Sequence, residues 1–312
     1  MNSDATRSDA AQAGRVGRVT AEARASVGTE ARAEAGAGVG AEPVGARAAA
    51  GAEAGTQPAG ARGGVAAEAG AVMAAEARAA VEMITRAHFA LLDFDGPICG
   101  LFAGHSARGI AREQIGWLAE RGLHGLLTDD VRGERDPFQV LRAVDARQRG
   151  SDLVSELEER LTQQELRAVP SAFPTPYADP LIRTWSAVGA RLAIATNNSP
   201  RAVTRYLDLR GLTPCFAPHI YGRTSRLDLL KPDPHCLRRA MSALGAAPAE
   251  TVMIGDAPSD CRAAREAGVG FVGFARNETK ARLLREAGAN ALVPDWQPVL
   301  ARLRSRGASS KA

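Results

Sequence analysis

No aromatic residue and no cysteine occurs before Phe89, although the chain of 312 residues holds eight Phe, three Tyr, three Trp and four Cys. The first 88 residues include 30 Ala and 13 Gly instead. Without large side chains, such a stretch buries too little apolar surface to offset the entropy lost on ordering. The sequence therefore predicts a disordered Ala/Gly-rich tail over 1–85 and a folded unit after it, within the size of one domain carrying an insert. In the tail, Gly36, Gly38 and Ala41 match a dinucleotide-binding pattern by chance, because no strand precedes them. Met83, just ahead of the first strand-like run, and Met73 are expected as alternative starts, which the intact mass of the native protein tests.

Charge excludes several classes of function. The first 88 residues carry nine Arg against ten acidic residues, and the whole chain is +4, so no clustered basic face for nucleic acid is expected. Cys99, Cys215, Cys236 and Cys261 form no CxxC pair, which argues against a disulfide scaffold or a zinc site. No apolar run reaches transmembrane length and no secretory signal is visible, so a cytoplasmic protein without membrane partners is expected. Only three lysines occur, Lys231, Lys280 and Lys311, among 39 basic residues. Where a chain so rich in Arg keeps a Lys, the chemistry calls for a compact ammonium.

After Phe89, short apolar runs alternate with helical periodicity. The strands are expected at Phe89–Leu92, Leu192–Ala195, His219–Tyr221, Val252–Ile254, Phe271–Phe274 and Ala291–Val293. This alternation predicts an α/β fold, a Rossmann-like doubly wound parallel sheet. Residues 100–178 break the pattern, with helices expected at Ala107–Arg121, Pro137–Arg147 and Asp152–Ala168. They read as a helical insert, with the core formed by 86–99 and 179–306.

Ligands of open α/β sheets bind at the carboxyl ends of the strands. Here those ends carry Asp93-Phe94-Asp95-Gly96, Thr196-Asn197-Asn198 and Gly255-Asp256, followed by Asp260, with Lys231-Pro232-Asp233-Pro234 between them. Converging carboxylates repel one another and call for a divalent cation, and a set of oxygen donors without His or Cys favours Mg²⁺. An Asp nucleophile, a second carboxyl two residues on and a metal suit phosphoryl transfer. The backbone N–H groups of Gly96 and Asn197 are expected to hold phosphate oxygens.

In this order the motifs resemble those of the haloacid dehalogenase-like hydrolase superfamily, over essentially all of 88–295. The resemblance implies Asp93 as nucleophile, Asp95 as general acid and then base, and Thr196 and Lys231 as binders of the phosphoryl group. It implies Mg²⁺ held by Asp93, the Asp95 carbonyl and Asp256, with Asp260 as a support or further ligand. The insert resembles the family's C1 cap, which selects substrate. Asp95 argues against a dehalogenase, and the lack of any Lys in 100–178 argues against a phosphonatase. What the resemblance implies is hydrolysis of small phosphorylated metabolites, as in phosphoglycolate phosphatase-like enzymes. The alternatives are a β-phosphoglucomutase-type mutase and a catalytically weak phosphate-binding module. Pro97 departs from the family pattern and predicts a reshaped first loop. The arginines of the insert, including Arg108, Arg112, Arg132, Arg135 and Arg142, are expected on a solvated surface rather than on an anionic leaving group. Cys99 and His105 are expected as candidates for the pocket lining.

Overall fold

The computed structural model describes residues 60–309. Each expected strand forms, within a residue of its expected bounds. In chain order the elements are α1 (Gly60–Arg86), β1 (Phe89–Leu92), β2 (Cys99–Gly100), α2 (Ala107–Glu120), α3 (Asp129–Arg132), α4 (Pro137–Gln148), α5 (Asp152–Ala168), β3 (Phe173–Pro174), α6 (Ala178–Ala187) and β4 (Arg191–Ala195). There follow α7 (Pro200–Arg210), α8 (Thr213–Phe216), β5 (Ile220–Tyr221), α9 (His235–Leu244), β6 (Thr251–Gly255), α10 (Pro258–Ala267), β7 (Gly270–Phe274), α11 (Glu278–Glu286), β8 (Leu292–Val293) and α12 (Gln297–Ser309).

Six strands make one parallel sheet in the order β5-β4-β1-β6-β7-β8. Side chains alternate between its two faces, and both faces are buried. Ala90, Leu92, Leu192, Ile194, Val252 and Ile254 join one core, with Trp185 and Tyr206 from the helices and Trp296 just ahead of α12. Leu91, Ala193, Ala195 and Met253 join the other, against α9 and α10. The order turns back at β1, the first strand, which sits between β4 and β6 and places the strand-end motifs side by side.

The insert has its own core, in which Ile110, Leu118, Val140, Leu141, Leu157 and Leu161 are buried. Leu227 and Leu230, which follow β5, complete that core, so insert and sheet domain share apolar surface across the expected boundary. A two-stranded antiparallel ribbon, β2 with β3, stitches the two ends of the insert together.

The N-terminal boundary needs correction. The expected disordered tail ran to residue 85, yet α1 occupies Gly60–Arg86. Ala80 and Ile84 are fully buried in the sheet core, with Val81 and Met83 packed against it. Glu76 forms a bidentate ion pair with Arg285 of α11, at 2.8 and 3.0 Å. Small apolar residues at helical spacing suffice to dock a helix where the facing surface is already apolar, and counting aromatics misses this. Residues 1–59 lie outside the described residues. No described helix is long and apolar enough to cross a membrane.

Candidate active site

Period-2 alternation delivers Asp93. Phe94 continues the face of Ala90 and Leu92, which leaves the Asp93 carboxylate on the α9 and α10 side. The Asp93 N–H still pairs with the Ile254 carbonyl of β6 at 2.8 Å, so the nucleophile candidate is held on the sheet's ladder. The chain then turns sharply. Gly96 has φ +110, and a Cβ there would collide with the Asp256 carboxylate, so only glycine lets the loop pass so close. The Gly96 N–H donates to the Cys99 carbonyl at 2.6 Å, so it is not free to hold a phosphate oxygen as expected. The Asn197 N–H has no partner among the described residues. Around Pro97 the loop is closed and pinned. Thr175 Oγ1 donates to the Gly96 carbonyl at 2.6 Å, and Trp296 Nε1 donates to the Pro97 carbonyl at 2.8 Å.

Lys231 lies in the segment before α9 and is 3% exposed. Its Nζ donates to the Ala195 carbonyl at 3.0 Å and forms ion pairs with Asp93 Oδ1 at 2.8 Å and Asp260 Oδ1 at 2.5 Å. Burial alone would lower its pKa, but the Asp260 and Asp93 carboxylates outweigh burial and keep it charged. Its backbone is clamped twice. The Asn197 side chain accepts from Lys231 N at 2.8 Å and donates to Lys231 O at 3.2 Å. Arg142 of α4 donates to the Leu230 and Lys231 carbonyls at 2.7 and 2.9 Å. Arg142 therefore works on the backbone around Lys231.

Asp256 follows β6, and Asp260 sits in the first turn of α10. Asp260 accepts from the Ala257 N–H at 3.1 Å while its other oxygen meets Lys231, so both of its oxygens are engaged. Carboxylate oxygens of Asp93, Asp256 and Asp260 lie within 4.8 Å of one another. Burial pushes Asp95 up to about 7, opposed by a 2.8 Å hydrogen bond from Leu101 N–H and reinforced by Asp256 and Asp93. Burial likewise raises Asp256 and Asp260. Three buried carboxylates thus converge on one point with two ammoniums beside them. Hard oxygen donors in that state suit Mg²⁺.

Thr196 is buried at the end of β4, with its Oγ1 on Asn198 Oδ1 at 3.0 Å. Behind it lies a charged network that sequence reading did not find. Arg223, fully buried at its side chain, pairs with Glu165 of α5 at 2.8 and 3.1 Å and with Glu158 at 2.8 Å. It also donates to the Asn197 carbonyl, and Glu165 accepts from Asn198 Nδ2 and Ser199 N. The two glutamates lie 58 and 65 residues away from Arg223, so no local pattern announces them.

Lys280 of α11, also missed, contacts the Asp256 carboxylate. Its signal was the scarcity of lysine. Above the aspartates is a cavity of about 430 Å³ lined by Asp93, Asp95, Thr196, Lys231 and Asp256, with Phe102, Arg135 and Phe138 from the insert side. Cys99 is instead buried in the sheet core, and His105 is bound to Gln164 at 2.7 Å, so neither lines the cavity.

A family model described as haloacid dehalogenase-like hydrolase matches residues 89–268. Phosphoglycolate phosphatase of Thiobacillus denitrificans is 33% identical over 113 residues, 36% of this chain and 49% of that protein. Pyrophosphatase PpaX of Halalkalibacterium halodurans is 34% identical over 96 residues, 30% of this chain and 44% of that protein. The chain thus spans about half the length of the curated relatives it matches. Among solved structures, a hydrolase from Pseudomonas syringae superposes with a TM-score of 0.51 at 22% identity, covering 69% of this chain and 97% of that one. A haloacid dehalogenase-like family protein from Streptococcus pneumoniae gives 0.50 at 18%, covering 70% and 99%. These two show the fold. With the model match spanning more than half of the chain, and Asp93 and Asp256 directly after β1 and β6, the chain belongs to the haloacid dehalogenase-like hydrolase family.

Proposed function

We propose that the protein is a phosphatase that hydrolyses small phosphomonoesters with Mg²⁺ through an aspartyl-phosphate on Asp93. The observation that carries this reading is the pairing of a strand-end Asp93, held by Lys231 at 2.8 Å, with Asp95, a carboxyl pushed up to about 7. A group with a pKa near the working pH can both give and take a proton.

In the first step an oxygen of Asp93 attacks phosphorus and the ester P–O bond breaks. Asp95 gives its proton to the leaving oxygen. In the second, water attacks the phosphorus, Asp95 takes the water's proton, and the bond to Asp93 breaks, which restores the Asp93 carboxylate and the protonated Asp95. Lys231 offsets the charge that brings an anionic substrate to an anionic nucleophile. Thr196 and the free N–H of Asn197 bind phosphoryl oxygens. Asp93, the Asp95 carbonyl and Asp256 hold Mg²⁺, with Asp260 as support, since its oxygens are already engaged. When bound, the ion neutralises charge on the transferring phosphoryl group. Residues 100–178 act as a cap whose Arg135 and Phe138 face the leaving group. Relatives named for phosphoglycolate and pyrophosphate support a small phosphorylated substrate.

The test is turnover of p-nitrophenyl phosphate and a metabolite panel, with Mg²⁺ or with chelator, by wild type and Asp93→Asn. Mg²⁺-dependent turnover that Asp93→Asn abolishes is expected. Equal rates in the two proteins sink the reading.

A further inference from the structure

Lys280 has no part in the chemistry above, yet it faces one of the three clustered carboxylates. The Asn277 side chain caps α11 by accepting from Lys280 N at 2.9 Å, which fixes the lysine in the helix's first turn. From there its Nζ contacts Asp256 Oδ2 and lies 3.3 Å from the Asp256 carbonyl. One ammonium thus binds two oxygens of a single residue. Asp256 is nearly buried, with a side chain 10% exposed, whereas Lys280 keeps 34% exposure on a flexible stem. Gly96 presses on the Asp256 carboxylate so closely that a Cβ would collide with it. The carboxylate is confined and the ammonium has a way out to water.

We propose that Lys280 is a tethered counter-cation of the metal site, which a divalent ion displaces from Asp256 on binding. The inference rests on the Mg²⁺ reading of the site given above. It makes Lys280 a residue that tunes metal affinity. An ammonium already seated on a ligand carboxylate competes with an incoming cation, while in the metal-free protein it offsets the repulsion of Asp256 from Asp93. A partner that merely oriented Asp256 would act with the opposite sign, because removing an orienting partner weakens metal binding.

Mg²⁺ binding is measured by titration calorimetry on the full chain for wild type, Lys280→Met and Lys280→Arg. Lys280→Met is expected to bind Mg²⁺ about five- to tenfold more tightly than wild type, one opposing charge having left the ligand. Lys280→Arg, still cationic, is expected to stay at or below wild-type affinity. Equal or weaker binding by Lys280→Met overturns the proposal and leaves the Mg²⁺ reading intact. No saturable Mg²⁺ binding by any of the three overturns both.

Wild type alone gives a second measurement that needs no variant. Amine acetylation followed by peptide mass spectrometry reads Lys280 cleanly, since Lys231 is buried and Lys311 serves as internal reference. Lys280 is expected to label several-fold faster in Mg²⁺ than in chelator. Labelling unchanged or slowed by Mg²⁺ overturns the proposal.

Discussion

Replacing Lys231 by Met tests the electrostatic account of the site most directly. Methionine nearly matches the lysine in volume, so packing is kept and the ammonium is lost. Three groups then lose their partner: Asp93, Asp260 and the Ala195 carbonyl, at 2.8, 2.5 and 3.0 Å. At 3% exposure, the lysine's position is shielded from bulk solvent. Breaking a buried ion pair from one side costs about 3–5 kcal/mol, because the remaining charge is stranded. For a folded unit of this size, that lowers Tm by about 10 °C. Asp260→Asn in the same chain removes one stranded charge, and the amide oxygen can still accept from Ala257 N–H. The double variant is therefore expected to recover about 1–3 kcal/mol relative to additivity. Urea unfolding in chelator at pH 7.5, followed by fluorescence of the buried Trp185 and Trp296, measures all four corners of the cycle. A loss below about 1 kcal/mol for Lys231→Met, or no coupling to Asp260, refutes the reasoning.

Three further outcomes are expected. Ile84→Ala in α1, where Ile84 is fully buried, costs about 2–5 kcal/mol in urea unfolding, whereas Val72→Ala, at 55% exposure, changes little; equal effects would remove α1 from the folded unit. Asp95 and Asp260 are raised from 3.8 to about 7 on folding, so the native state binds more protons between those values. Their contribution is full below about 4 and is lost as pH rises through 7, so metal-free protein should melt higher at pH 6 than at pH 8. Saturating Mg²⁺ should reduce that difference, and a metal-free Tm that rises from pH 6 to 8 contradicts the assignment. Arg142→Met should lower kcat about tenfold with KM little changed, since Arg142 holds the backbone around Lys231; a raised KM with kcat intact would place Arg142 in substrate recognition instead.

The strands were legible because a buried parallel strand must be short and apolar and must end where a turn begins. Asp93, Thr196, Lys231, Asp256 and Asp260 were legible for the same reason, as polar residues placed where apolar runs stop. The docking of α1 was not. Ala80 and Ile84 look like tail composition until the surface of β7, β8 and α12 is there to receive them. The free N–H expected at Gly96 also failed, because a backbone donor's partner depends on how the loop closes.

What the sequence determined by itself was the order of the elements, the set of groups at the strand ends and, through its scarce lysines, Lys231 as a candidate ammonium among them. Tertiary structure alone decided which partners those groups take. It set Lys280 on Asp256, Arg142 on the Lys231 backbone, and Arg223 and Glu165 behind the Thr196–Ser199 loop. Periodicity and local chemistry act over a few neighbouring residues. These pairings join positions 24 to 89 residues apart, and only the folded chain brings them within hydrogen-bond reach.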